Sequence, residues 1–182
     1  MTHRAELKQL AEFAVPAAAV GAAAGLMAGG LAGFVGQPVG WAVVTGLGLG
    51  VPLVLFGAGY AALVALGKVP AGVFAPAAVY WAVAFPLSLL AHAIVTAWVV
   101  TGTPGLPPEV GKFLAFRALV SMGFAIGFLW MHEQLGRLWW PRILEHNLYA
   151  RRTVEAYAHL AATLQARKAA TARGRVRNKR TA

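Results

Sequence analysis

The sequence predicts an all-α integral membrane protein: four transmembrane helices in a tightly packed bundle, then a cytoplasmic amphipathic helix and a disordered basic tail. Three observations carry this prediction. Apolar stretches at about 14–36, 41–66, 72–100 and 113–131 fill most of the 182 residues, and about 20 helical residues cross a bilayer core of about 30 Å. Charged residues make up 12% of the chain and hydrophobic ones 59%, about half the charge of an ordinary soluble domain. Most of the positive charge follows the last apolar stretch. The expected divisions are a four-span domain over 1–136, a helix over 137–170 and a tail over 171–182.

Charge placement gives an orientation. Arg4 and Lys8 precede the first span, Lys68 lies between the second and third, and a long basic series follows Gly136. The connections at 35–40 and 101–112 carry almost no charge. Basic residues stay on the cytoplasmic side, so both termini are expected there, in a bacterial cytoplasmic membrane. Trp41 and Trp98 then mark the outer interface, and Trp130, Trp139 and Trp140 the inner one. Arg4 and Lys8 before an Ala/Gly-rich run also suit a signal peptide, but Glu12 and an apolar run of more than about 20 residues argue against cleavage.

The first span repeats small residues at Ala17, Gly21, Gly25, Gly29 and Gly33, four apart on one helix face, as in a glycine zipper. In lipid such faces let backbones approach closely and carry much of the association energy. Gly46 with Gly50, and Gly123 with Gly127, repeat the device in spans two and four. Packing within the bundle and self-association into an oligomer both fit. Pro52 and Pro86 lie inside spans two and three and predict kinks, whereas Pro16 is expected near a helix start, where proline costs little.

Ser88, His92 and Thr96 follow one another at four-residue spacing on span three, as Arg117 and Ser121 do on span four. Antiparallel neighbours joined by a short loop bring these polar faces to a common depth in the outer leaflet. One reading has Arg117 snorkelling outward beside a neutral His92. The other has His92 lining a proton or small-solute path, with Arg117 as an anion site. No carboxylate accompanies the pair inside the membrane, unlike the arrangement expected of a small four-helix drug exporter.

Behind the spans, Ile143, Asn147, Ala150, Val154, Tyr157, Ala161 and Leu164 alternate four and three apart, the seam of a coiled coil in which Asn147 sets register. A helix lying along the inner leaflet is the alternative. Arg173, Arg175, Arg177, Lys179 and Arg180 place five positive charges in eight positions, suited to disorder and to anionic headgroups or nucleic-acid phosphates. No aromatic residue interrupts that run, so lipid contact is favoured over nucleic acid.

The chain has no cysteine, which excludes disulfides, thiolate chemistry, Cys-bound metals and thiol lipidation. His132, His146 and His159 lack metal-ligand spacing and read as solvated. No P-loop, nucleophile elbow, dinucleotide fingerprint or metalloprotease box is present, so no catalytic residue, metal or cofactor is expected. In general design the chain resembles phage holins and small membrane proteins of conjugative plasmids, which also join a few spans to a charged region, but no motif is shared. The expected function is a non-enzymatic scaffold or accessory subunit, self-associating or paired with another membrane subunit. Its basic helix would dock a partner or the inner leaflet. The alternative is an oligomeric pore or small transporter with His92 and Arg117 in the path.

Overall fold

The computed structural model describes residues 3–180, with side chains through 168 and at 171. Five helices follow in order: α1 (His3–Phe34), α2 (Val39–Ala65), α3 (Phe74–Thr101), α4 (Val110–Ile143) and α5 (Leu148–Arg180). No strand occurs among the described residues. The first four helices are each long and apolar enough to cross a membrane, as a multi-pass membrane protein requires. They close a ring in chain order, each packed on the next and α4 back on α1. One end, here the tail end, gathers the start of α1, the α2–α3 connection, the end of α4 and α5. The opposite, loop end holds the other two connections.

The α1–α2 hairpin is the most intimate pair, and glycine is the reason. A Cβ on Gly21 would lie 2.5 Å from the Leu53 carbonyl carbon, one on Gly25 2.4 Å from Gly50 Cα, and one on Gly29 2.8 Å from the Ala42 oxygen. Across the seam, Gly46 and Gly50 meet Gly25 at 3.3 and 3.2 Å in the same sense. Backbone thus touches backbone along three turns, a packing mode available to helices without side chains between them. Gly33 is looser, with Ala42 Cβ at 3.7 Å. Gly57 extends the seam, because its Cβ would strike the Ala17 oxygen at 2.6 Å.

Span four departs from this expectation. A Cβ on Gly123 or Gly127 would meet nothing within 4 Å. Their spacing matches that of α1, but their face points away from the bundle, where exposed Leu119, Met122 and Ile126 lie.

The ring is filled at the tail end by a column of aromatic side chains. Trp81 packs on Phe124 and Phe128 at 4.7 and 4.5 Å, and Phe128 stacks on His132 at 5.7 Å. Tyr60 closes edge-on against both Phe128 and His132. Trp140 then stacks on Phe13 at 5.1 Å with planes 4° apart. Such pairs add to burial about 0.5–1.5 kcal/mol each.

Several element limits differ from the sequence reading. The boundary expected at 136/137 falls inside α4, which runs on to Ile143, and the following helix begins at Leu148. α5 is helical to Arg180, past the point where a disordered tail was expected. α1 begins at His3, so Pro16 lies well within it. Pro52 and Pro86 sit in helices that continue through them.

Candidate functional site

The α4–α5 turn explains why the tail end is ordered. No Gly or Pro marks it, and Asn147 makes it. Asn147 Oδ1 accepts from the backbone N–H groups of Tyr149 and Ala150 at 3.1 Å each, satisfying two of the donors that a helix start leaves free. Its Nδ2 donates to the Gln9 carbonyl of α1 at 2.7 Å. The residue assigned to a coiled-coil seam is therefore a fully buried helix cap. Gln9 reciprocates, its Nε2 donating to the His146 carbonyl at 2.9 Å and its Oε1 accepting from Leu148 N–H at 3.3 Å. His146 also meets Glu12 Oε2 at 3.0 Å.

Proline chemistry supplies the next tie. Pro16 has no N–H to offer the carbonyl of Glu12, four residues earlier. Trp139 Nε1 donates to that oxygen at 2.8 Å, and Trp140 Nε1 to the Phe13 oxygen at 3.3 Å. The two tryptophans expected in an interfacial belt instead join the end of α4 to the start of α1. Trp130 and Trp98 are exposed, as belt residues are.

Below this joint lies a polar group that the sequence did not single out. His132, read as solvated, is 1% exposed and boxed by Tyr60, Phe128 and Trp140. Its Nδ1 is 3.6 Å from Glu133 Oε1. Glu133 Oε2 accepts from the Tyr157 hydroxyl at 2.6 Å, the polar tie that holds the third turn of α5. Burial pushes the Tyr157 hydroxyl above its ordinary value, and the bond to Glu133 and its charge push it further, against a smaller opposing effect of Arg137. Neither His132 ring nitrogen nor Tyr60 Oη has a hydrogen-bond partner. A cavity of about 380 Å³ between α4 and α5 opens beside Glu133, Arg137, Trp140 and Tyr157. The available signal was a carboxylate just past the last apolar stretch in a chain with six acids.

The predicted polar cluster is divided. Ser88 Oγ donates to its own helix at Ala84 (2.8 Å), and Ser121 Oγ to Ala118 (2.6 Å). Arg117 lies over the Phe113 ring at 3.6 Å, a cation–π contact within α4. Among the described residues no hydrogen bond joins it to Ser88, His92 or Thr96. His92 instead faces α2, where Gly48 makes room: a Cβ there would sit 2.9 Å from His92 Nδ1. His92 and Thr96 line a crevice of about 600 Å³ at the loop end, together with Gln37, Trp41 and Thr45. Nδ1 of His92 and Oγ1 of Thr96 are buried without partners.

The side chains of Arg173, Arg175, Arg177, Lys179 and Arg180 lie outside the described residues. Among the described residues no three His, Asp or Glu side chains gather as a metal site. No family model, curated protein or solved structure matches the chain.

Proposed function

We propose that the chain is a non-enzymatic membrane scaffold or accessory subunit that fixes a basic helix at the cytoplasmic face of a bacterial membrane and lays it on the anionic inner leaflet. The observation that carries this reading is the two-part character of α5. Its first ten residues are tied to the bundle through Asn147, Ala150 and Tyr157. Beyond Tyr157 it continues for 23 residues to Arg180, about 35 Å of helix. On that arm Leu160 and Leu164, one turn apart, are 53% and 49% exposed, with Arg167 and Lys168 three and four residues beyond Leu164. An apolar strip beside cations suits the headgroup boundary, where each cation near an anionic leaflet contributes about 1 kcal/mol. The α2–α3 connection, with Lys68, and the start of α1 lie at the same end, in keeping with both termini on the cytoplasmic side.

The absence of cysteine makes the test direct. Leu164→Cys is labelled with an environment-sensitive fluorophore, and the full chain is reconstituted in phosphatidylcholine vesicles with or without phosphatidylglycerol. The reading expects a blue shift in the anionic vesicles that high salt reverses. An emission unchanged by anionic lipid would overturn it and turn attention to a protein or nucleic-acid partner.

The second reading, an oligomeric pore or small transporter, is favoured by the unpartnered His92 Nδ1 at the crevice. It expects His92→Ala to abolish flux in proteoliposomes at normal protein levels. Arg117, held on Phe113, lies outside that crevice.

A further inference from the structure

The loop-end crevice is built for something other than an ion. None of the residues that line it is Lys, Arg, Asp or Glu, so a charged ligand would leave water without a counter-charge, at a cost of several kcal/mol. Apart from the Trp41 indole N–H, a donor only, its polar groups are of one kind. Thr45 and Thr96 carry hydroxyls and Gln37 an amide, each able to donate and to accept, and a neutral His92 ring does both through its two nitrogens. Such groups are matched by hydroxyls, which also do both. Two of the polar atoms, His92 Nδ1 and Thr96 Oγ1, are buried without a partner, and buried polar groups ordinarily have one. The remaining wall is the Trp41 indole and aliphatic side chains, of which Leu31 and Val35 are exposed on the outer surface of the bundle.

Depth adds a constraint. His92 lies nine residues before Thr101, the end of α3, or about 14 Å down the helix. Bringing a charged headgroup so far from the interface is costly, whereas an uncharged hydroxylated one loses far less hydration.

We propose that the crevice of Thr45, His92 and Thr96 binds an uncharged, hydroxyl-bearing molecule with an aliphatic part, of the acylglycerol class, entering sideways past Leu31 and Val35. The hydroxyls bond the polar side chains of Gln37, Thr45, His92 and Thr96 that line the crevice, and the hydrocarbon lies along Leu31, Val35 and Trp41. Gly48 is a positioning residue, because it lets the imidazole sit against α2. The site does not depend on what α5 does.

Native mass spectrometry of the full chain, titrated with 1-oleoylglycerol, tests the proposal. Oleoyl-lysophosphatidylglycerol, which carries an anionic head on the same chain, and free glycerol are the comparison probes. A saturable one-to-one adduct with 1-oleoylglycerol is expected. The charged analogue should bind at least about tenfold more weakly. His92→Leu, and the double variant Thr45→Val with Thr96→Val, should each weaken the adduct by at least about tenfold. The valine variant keeps the β-branched shape and removes a Thr96 hydroxyl that has no partner to lose, so it should unfold no more readily than the parent. Glycerol competing at concentrations similar to those of 1-oleoylglycerol would overturn the role given to the hydrocarbon and make the ligand a soluble polyol. Adducts that fail to saturate, that ignore these substitutions, or that form equally with the anionic analogue would overturn the proposal.

Discussion

Gly25→Ala, with Gly21→Ala, should be among the most damaging single methyl additions to α1. The new Cβ would lie 2.4 Å from Gly50 Cα and 2.7 Å from the Gly46 oxygen, both backbone atoms, where ordinary contact begins at 3.4 Å. No rotamer relieves the clash, so α1 and α2 must separate by about 1 Å. A gap of that size forfeits about a quarter to a half of each dispersion well along the seam. Together with overpacking strain of about 1–3 kcal/mol, the expected loss is about 3 kcal/mol. Gly123→Ala and Gly127→Ala are the matched controls. Nothing lies within 4 Å of either new methyl group, and alanine is the better helix former by up to about 1 kcal/mol. They should be neutral or stabilising by a few tenths of a kcal/mol. SDS-driven unfolding in mixed micelles, followed by far-ultraviolet circular dichroism, gives both numbers. Equal destabilisation by Gly25→Ala and Gly123→Ala would refute the reasoning, since spacing alone, and not the backbone contact, would then govern packing.

Tyr157→Phe removes the bond to Glu133 and should weaken α5 docking by about 1.5–3 kcal/mol, the range for a bond to a charged group, read as faster amide exchange over 148–157. Because the Tyr157 hydroxyl is held above its ordinary value of 10.0, its contribution is complete below pH 10.0 and falls as pH rises beyond it. The difference between parent and phenylalanine variant should shrink accordingly in strongly alkaline solution. Asn147→Ala loses a cap and the tie to Gln9, costing about 1–2 kcal/mol and exposing the 144–147 turn to limited proteolysis. Trp139→Phe should cost less in a Pro16→Ala background, where the restored backbone N–H can supply the Glu12 carbonyl with a helical partner; a double-mutant cycle on unfolding free energies should give a coupling of about 0.5–1.5 kcal/mol. Glu109 sits in the left-handed region at φ 52°. Glu109→Gly should therefore stabilise the α3–α4 connection by about 1 kcal/mol, seen as a higher unfolding midpoint.

The four long helices were legible because apolar run length is a property of the chain in one dimension. The α1 contact face was legible for a related reason: residues four apart share a side of a helix. Spacing says nothing of which way that side turns, and Gly123 and Gly127 face outward for that reason. The same limit divided the polar cluster. Four-residue periodicity put His92 and Arg117 on faces of two neighbouring helices, yet Gly48 opened a place for the imidazole on α2, and Phe113 held the guanidinium on α4. Asn147 was misread because the α4–α5 turn carries none of the usual breakers, so the heptad count ran through it. The group of His132, Glu133 and Tyr157 depends on α5 folding back onto α4, a long-range event that no local pattern encodes.

The ties between α1 and the end of α4 also bear on how the chain is made. Gln9, Glu12 and Phe13 lie on α1, and their polar partners lie 127 to 138 positions later in the chain. The α1–α2 hairpin, by contrast, needs a loop of only four residues and can pack as soon as both of its helices have emerged. During synthesis the Glu12 carbonyl, deprived of its helical donor by Pro16, therefore waits open until Trp139 arrives. A chain cut short before that point keeps an apolar first helix whose Glu12 carbonyl lacks the side-chain donor it has in the finished fold.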